Sequence, residues 1–183
     1  KCRSSRIRIG VYRKMNIKFE ILMPVYNCES TIQRTLHSIL NQTIDKDDMF
    51  LTIVNNNSTD KSLNKIVLFF EQYEHFKNYR IIHENEKGIV PALNRGLFAG
   101  GLEEYNWIAR IDGDDRWYPD KLEKQRDFIL ENPDVSIVGT QIMPVDHEYF
   151  EPIRNSFIER PKADKEIKEW LFSSKNPIAH PSV

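Results

Sequence analysis

Three carboxylates fall within four positions at Asp112-Gly113-Asp114-Asp115. Like charges that close raise the energy of the ionised cluster. A cation and a phosphate would turn that repulsion into binding. Hard divalent ions such as Mg2+ are commonly held by one or two protein carboxylates together with substrate phosphates. The apolar, aromatic segment Tyr105-Asn106-Trp107-Ile108-Ala109 precedes the run, and Trp117-Tyr118-Pro119 follows it. The run therefore reads as the end of a buried strand carrying a metal–nucleotide site. A solvated acidic turn has the same local composition, and a short motif alone does not separate the two. Asp115 also stands where a helix N-cap would, ahead of Trp117-Tyr118-Pro119.

The elements that must position these carboxylates follow from periodicity. Residues 19–25, 50–54, 79–83, 107–111 and 135–138 are apolar and β-favouring and predict five strands, with Pro24 near the exit of the first. Helices are predicted over 30–42 (Ile32, Leu36, Ile39, Leu40 inward) and from Ser58 or Asp60 to about Tyr73 (Leu63, Ile66, Val67, Phe70 inward). A third runs from Gly88 through Ala92, Leu93, Leu97 and Phe98 to Gly100-Gly101. A fourth spans 120–131 with Leu122, Phe128 and Ile129, stopped at Asn132-Pro133, and residues 165–172 are helical. Strands alternating with helices predict an α/β fold, a mostly parallel sheet with helices on both faces. Ligands of such sheets bind beyond the carboxyl ends of the strands. The four exits here carry Tyr26-Asn27, Asn55-Asn56-Asn57-Ser58, Glu84-Asn85-Glu86-Lys87-Gly88 and Asp112-Gly113-Asp114-Asp115, all polar and all on one edge.

The 183 residues fit one domain, with 40% hydrophobic and 11% aromatic residues to build a core. A net charge of −1, from 26 basic and 27 acidic residues, gives no global field for nucleic acid. Cys2 and Cys28 have neither metal-ligand spacing nor a disulfide pattern, which fits a cytoplasmic protein. No apolar run approaches the ~20 residues that span a bilayer. No Gly-x-Gly-x-x-Gly follows a strand, which argues against dinucleotide redox chemistry. Residues 1–14, with Arg3, Arg6, Arg8, Arg13 and Lys14, read as a non-native or disordered basic extension before Met15, or as a basic arm for an acidic membrane surface. The domain is expected over 15–183 and reads as truncated at its C-terminus, where Asn176–Val183 looks like the entry to a further strand.

Several blocks, in order, carry a resemblance. Met23-Pro24-Val25-Tyr26-Asn27, Ser38-Ile39-Leu40-Asn41-Gln42-Thr43 and Ile53-Val54-Asn55-Asn56-Asn57-Ser58-Thr59-Asp60 come first. Asn85-Glu86-Lys87-Gly88 with Ala92-Leu93-Asn94-Arg95-Gly96 is next. The acidic run with Trp117, Pro119, Lys121, Leu122, Glu123, Lys124 and Gln125 follows, and His180-Pro181-Ser182-Val183 closes the series. The chain resembles family 2 glycosyltransferases, the inverting enzymes of the GT-A (Rossmann-like) fold, from about Phe19 to its last residue.

The resemblance implies transfer of a sugar from a nucleoside-diphosphate donor to the hydroxyl of a saccharide or lipid-linked acceptor. The setting would be cell-surface polysaccharide or glycolipid synthesis, with peripheral association at the cytoplasmic membrane face. It implies Mn2+ or Mg2+ held by Asp114 and Asp115, with Asp112 on the ribose or sharing the metal. Pro24, Val25, Tyr26, Asn27, Asn56, Asn57, Gly88, Asn94, Asp112, Gly113 and Asp114 would contact the nucleotide sugar. Lys87 and Arg95 are secondary, and His180 would lie on the acceptor side. The family commonly has aspartates where Asn55 and Asn56 stand. Asn56 falls where a carboxylate accepts the N3 proton of uracil; its amide oxygen can accept, but its NH2 also donates and the charge assistance is lost. A UDP-sugar is favoured, with GDP and dTDP donors left open. The general base of the family would lie beyond Val183, so the chain alone is expected to bind donor and transfer sugar poorly. A nucleotidyltransferase and a non-catalytic domain that keeps the fold are the competing readings.

Overall fold

The computed structural model describes residues 16–101, 103–146 and 162–173. The 1–14 extension and His180 lie outside them. The chain runs β1 (Phe19–Val25), α1 (Ile32–Leu40), β2 (Met49–Asn55), α2 (Ser62–Gln72), β3 (Tyr79–His83), α3 (Ile89–Leu97), β4 (Trp107–Arg110), α4 (Lys121–Glu131) and α5 (Asp164–Phe172), with a 3-10 turn at Lys46–Asp48 before β2. The four strands form one parallel sheet in the order β3-β2-β1-β4.

Strand β1 is central and, apart from Glu20, reads as an apolar run because both its faces are covered. Phe19, Ile21, Met23 and Val25 point to the face packed by Ile32, Leu36 and Ile39 of α1, Ile66 and Phe69 of α2, and Leu122 and Ile129 of α4. Leu22 points to the other face and meets Val54 and Ala92 of α3. Pro24 has no N–H to give. The ladder to β4 ends with Leu22 opposite Arg110 and the bond from Ile111 N–H to Leu22 O, so the missing donor falls where no strand is paired.

The order places a topological switch between β1 and β4. From β1 the chain steps through β2 to β3 with α1 and α2 on one face; α3 then crosses the opposite face and delivers β4 to the far side of β1. Right-handed crossovers require this change of face when the direction of travel reverses. The two strand exits flanking the switch are Tyr26-Asn27-Cys28 and Asp112–Asp115, and the carboxyl ends of strands at a switch point are where open sheets of this kind bind ligands.

Four expectations are corrected. Residues 135–138 are not a strand: Asn132 O takes the Val135 N–H (3.1 Å), and the Gln125 side chain of α4 takes the Val138 carbonyl (3.0 Å). Helix α2 is rotated from the predicted face. Val67 is exposed and Phe69 is buried, because Phe69 stacks on Tyr73 (4.6 Å between centroids) and Phe70 on Tyr79 of β3 (3.8 Å). Helix α3 buries Ala92 and Gly96, not Leu97 and Phe98, and Phe128 of α4 is likewise exposed. The helix lies so near the sheet that a Cβ on Gly96 would stand 2.2 Å from Leu22 Cδ1.

At the opposite end of the sheet, the α3 face carries a polar tie across three strands. Arg80 donates to Glu20 Oε1 (2.9 Å), to Thr52 Oγ1 (2.9 Å) and to the Gly100 carbonyl behind α3 (2.7 Å), while Thr52 donates to Glu20 (2.6 Å). A charge on a sheet face is tolerated there because each partner is satisfied.

Candidate functional site

The first three strand exits are laced to one another through Asn27, Asn56 and Asn57, residues singled out by sequence. Asn27 follows β1 at φ 50°, in the left-handed region that asparagine tolerates. Its Oδ1 accepts from Thr59 N–H (2.8 Å) and its own N–H reaches Ser58 Oγ (3.2 Å). Below it, Asp60 accepts from the N–H of Glu29 (3.0 Å) and of Ser62 (2.9 Å), and Glu29 accepts from Lys61 N–H (2.8 Å). The loops after β1 and β2 thus cap each other. Burial opposes the charge on Asp60, but these hydrogen bonds hold its carboxyl below the usual range.

Asn56 is 5% exposed and ties β2 to the loop after β3. Its Nδ2 donates to the carbonyls of Glu84 (3.2 Å) and Glu86 (2.6 Å), and its Oδ1 accepts from Gly88 N–H (2.9 Å). Asn57, at φ 64°, is exposed and donates to Asn85 O (3.3 Å). Gly88 is at φ 135°, a conformation closed to residues with a side chain, and begins α3. Asn55 is buried between His83 Nδ1 (3.3 Å) and Ser58 N–H (3.3 Å). Val25 is buried and its carbonyl accepts from Asn56 N–H (2.9 Å); Tyr26 is half exposed over the exit.

The acidic run leaves β4 as an irregular loop. Asp112 is gripped by Arg110 of β4, with Nε 3.1 Å from Oδ1 and Nη2 3.3 Å from Oδ2. Gly113 is buried against the β1 exit, where a Cβ would stand 3.0 Å from Cys28 Sγ. Asp114 is exposed. Asp115 is half-buried; burial, then the charges of Asp114 and Asp112, push its carboxyl up to about 6. It is not a helix cap, since α4 begins after Asp120. Burial, reinforced by the charges of Asp114, Asp60 and Asp112, also pushes the Cys28 thiol up, which makes it a packing group and not a nucleophile.

Helix α1 supports this loop from behind through residues the sequence reading left in a helix pattern. Thr31 donates to Gly113 O (3.1 Å), and Thr35 to Gly113 O (3.0 Å) and Asp115 O (2.8 Å). Ser38 Oγ accepts from Trp117 N–H (3.2 Å). Gln42 donates to Tyr118 O (2.8 Å) and accepts from Leu122 N–H (3.0 Å). The signal available was a polar residue at each of 31, 35, 38 and 42, one helical face. Beneath the loop, Lys121 Nζ sits 4.1 Å over the Trp117 ring and donates to Gln125 Oε1 (2.9 Å); burial brings its pKa down to about 7.

Asn94 and Arg95 stand on the exposed side of α3 and line an open cleft with Glu84, Glu86, Val90 and Phe98. Arg95 donates to His83 O (3.3 Å), so the structure groups this pair with the β3 exit. Lys87 is exposed. Among the described residues no three His, Cys, Asp or Glu side chains form a metal cage. Oxygen ligands from one or two carboxylates, completed by phosphate, need no such cage. An exposed Asp114 beside a charge-crowded Asp115 fits that demand.

The sequence model of Glycosyl transferase family 2 matches residues 20–181. The chain belongs to this family. The family 2 chain is 29% identical over 153 residues to poly(ribitol-phosphate) beta-glucosyltransferase of Bacillus spizizenii, covering 69% of itself and 24% of that protein. It is 32% identical over 128 residues to chondroitin synthase of Escherichia coli, covering 70% of itself and 18% of that enzyme. Among solved structures, it superposes on residues 1–349 of TarS from S. aureus in complex with UDP at a TM-score of 0.55 and 23% identity, over 69% of this chain and 39% of that one. It superposes on the mannosyltransferase PcManGT of Pyrobaculum calidifontis, bound to GDP-Man and Mn2+, at 0.59 and 21%, over 69% and 36%. These likenesses show the fold, the parallel GT-A sheet with helices on both faces. The family 2 chain spans well under half the length of each of these four proteins.

Proposed function

We propose that this chain is the donor-binding part of a glycosyltransferase that moves a sugar from a nucleoside diphosphate to an acceptor hydroxyl, with inversion, in the synthesis of a cell-surface polymer or glycolipid. The observation that carries this is the acidic loop at the β1/β4 switch: an exposed Asp114 and a half-buried Asp115 pushed up to about 6 where the fold places ligands. Homology to two polymer-directed enzymes supports the acceptor class.

Asp114 and Asp115 would hold Mn2+ or Mg2+, which when bound neutralises charge on a leaving diphosphate as a Lewis acid. Arg110 holds Asp112 by two nitrogens, and Asp112 would bind the ribose hydroxyls or share the metal. The amide of Asn56 is already engaged at both ends. Base recognition therefore falls to the exposed ring of Tyr26, to Asn27 and Asn57, and to backbone groups of the β1 and β2 exits. Lys87 and Gly88 lie at the third exit, on the same edge.

Calorimetric titration with UDP, GDP and dTDP, each with and without Mn2+, tests the reading. Metal-dependent binding of one of the three is expected. Absence of metal-dependent binding for all three removes the donor site, and the fold-keeping, non-catalytic reading then stands.

A further inference from the structure

The loop from Asp112 to Asp120 has no regular structure, yet its backbone groups must find partners. Inside this stretch and at its junction with α4 it makes Asp115 N–H to Asp112 O (3.1 Å) and Lys121 N–H to Tyr118 O (3.1 Å). Five of its backbone groups are held by α1 and the flanks of that helix: Gly113 O, Asp115 O, Trp117 N–H, Tyr118 O and Pro119 O are met by Thr31, Thr35, Ser38, Gln42 and the Thr43 N–H. The four side chains are all buried, at 2%, 1%, 6% and 3% exposure. Threonine and serine are poor helix formers, and a buried hydroxyl destabilises a core unless it is bonded. Their presence on the inward face of α1 is accounted for by the loop they hold.

The hydroxyl protons can be assigned. Gly113 O is within reach of both Thr31 (3.1 Å) and Thr35 (3.0 Å), and Asp115 O is reached by Thr35 (2.8 Å); Cys28 O, also within reach of Thr31 (3.2 Å), already accepts from the Thr31 and Ile32 N–H groups. Each hydroxyl has one proton. The arrangement that satisfies both carbonyls gives Thr31 to Gly113 and Thr35 to Asp115. Thr35 then fixes the backbone of the half-buried carboxylate and, through it, the aim of the exposed Asp114 one residue earlier.

We propose that Thr35 is a positioning residue for cation and diphosphate binding, with Thr31, Ser38 and Gln42 holding the flanks of the loop. The proposal rests on the donor-site reading above for its ligand but not for its geometry. Thr35→Val keeps the shape and removes the hydroxyl; Thr35→Ser keeps the hydroxyl. Thr52→Val removes a buried hydroxyl at the far end of the sheet and serves as the control for a general loss of stability. In the purified protein with UDP, GDP or dTDP, T35V is expected to weaken the Mn2+-dependent affinity about tenfold, the effect of losing one buried hydrogen bond. T35S and T52V should stay within about twofold of the parent. Amide hydrogen exchange over residues 113–118 gives a second readout that needs no ligand: it should accelerate in T35V and stay at the parent rate in T52V. Equal effects of T35V and T52V, or parental exchange at 113–118 in T35V, overturn the proposal. A parent that binds no nucleotide refutes the donor site and with it the ligand-positioning role, and faster exchange at 113–118 in T35V then shows only that Thr35 holds the loop.

Discussion

Replacing Asn56 by aspartate installs the residue type more usual in the family, and the structure predicts damage. The amide donates to Glu84 O (3.2 Å) and Glu86 O (2.6 Å) while its oxygen accepts from Gly88 N–H (2.9 Å). An ionised aspartate keeps the third bond and turns the first two into contacts between acceptors. Each lost bond is worth about 1 kcal/mol net. A charge at 5% exposure facing two carbonyl dipoles brings the total to about 3–4 kcal/mol at pH 7.5. With a urea slope of about 2 kcal/mol/M, the unfolding midpoint should fall by about 1.5–2 M. Asn56→Ala loses all three bonds but buries no charge, so the order of stability at pH 7.5 should be Asn, then Ala, then Asp. The mutant carboxyl, buried and unpaired, would have a raised pKa; at pH 5 it regains a proton, donates one bond, and closes part of the gap. Urea denaturation at both pH values checks this. An aspartate variant as stable as the parent at pH 7.5 would show that the Asn56 amide does not hold the β3–α3 loop.

Three further outcomes are expected. Asp114→Asn should weaken Mn2+-dependent nucleotide binding more than tenfold in calorimetry and leave the thermal midpoint within about 2 °C of the parent, since the side chain is exposed. Asp115 has a folded-state pKa of about 6 against an ordinary 3.8, so the metal-free native state binds more protons and its stability falls as pH rises between those values. Asp115→Asn should accordingly stabilise the metal-free protein above pH 6, by about 1–2 kcal/mol after allowance for solvent screening, and change little near pH 3.5. A gain that persists unchanged near pH 3.5 contradicts the assignment. Gly96→Ala puts a methyl 2.2 Å from Leu22 Cδ1 and 3.1 Å from Val54 Cγ2 and should cost about 1–3 kcal/mol, partly restored by Leu22→Ala in the same chain.

The residues explain which features were legible in advance. Strands β1 and β3 have the bounds that their β-favouring runs predicted, because branched aliphatic and aromatic residues suit a pleated, part-buried surface. Gly88 was marked as a helix start, and its φ of 135° shows why glycine stands there. The faces of α2 and α3 were misread, since hydrophobic periodicity gives the largest side chains the core. In α3 the small residues Ala92 and Gly96 face the sheet, and closeness of approach, invisible to a hydropathy pattern, selects them. The strand expected at 135–138 fails for a similar reason: a glutamine on α4 takes the carbonyl a neighbouring strand would need.

The sequence by itself determined the element order, the polar exits and the acidic run, because these depend on local composition and spacing. Tertiary structure alone decided how the run is used. It set the order β3-β2-β1-β4, which brings the acidic run beside the β1 exit, with Gly113 against Val25 and Cys28, across about ninety residues of chain. It gave the three carboxylates different surroundings: Arg110 on Asp112, solvent on Asp114, and burial with two like charges on Asp115. It also turned Thr31, Thr35, Ser38 and Gln42 from weak helix formers into partners for a loop some eighty residues away. Hydrogen bonds and pKa values depend on what lies within a few ångströms in space, and a one-dimensional reading does not contain those distances.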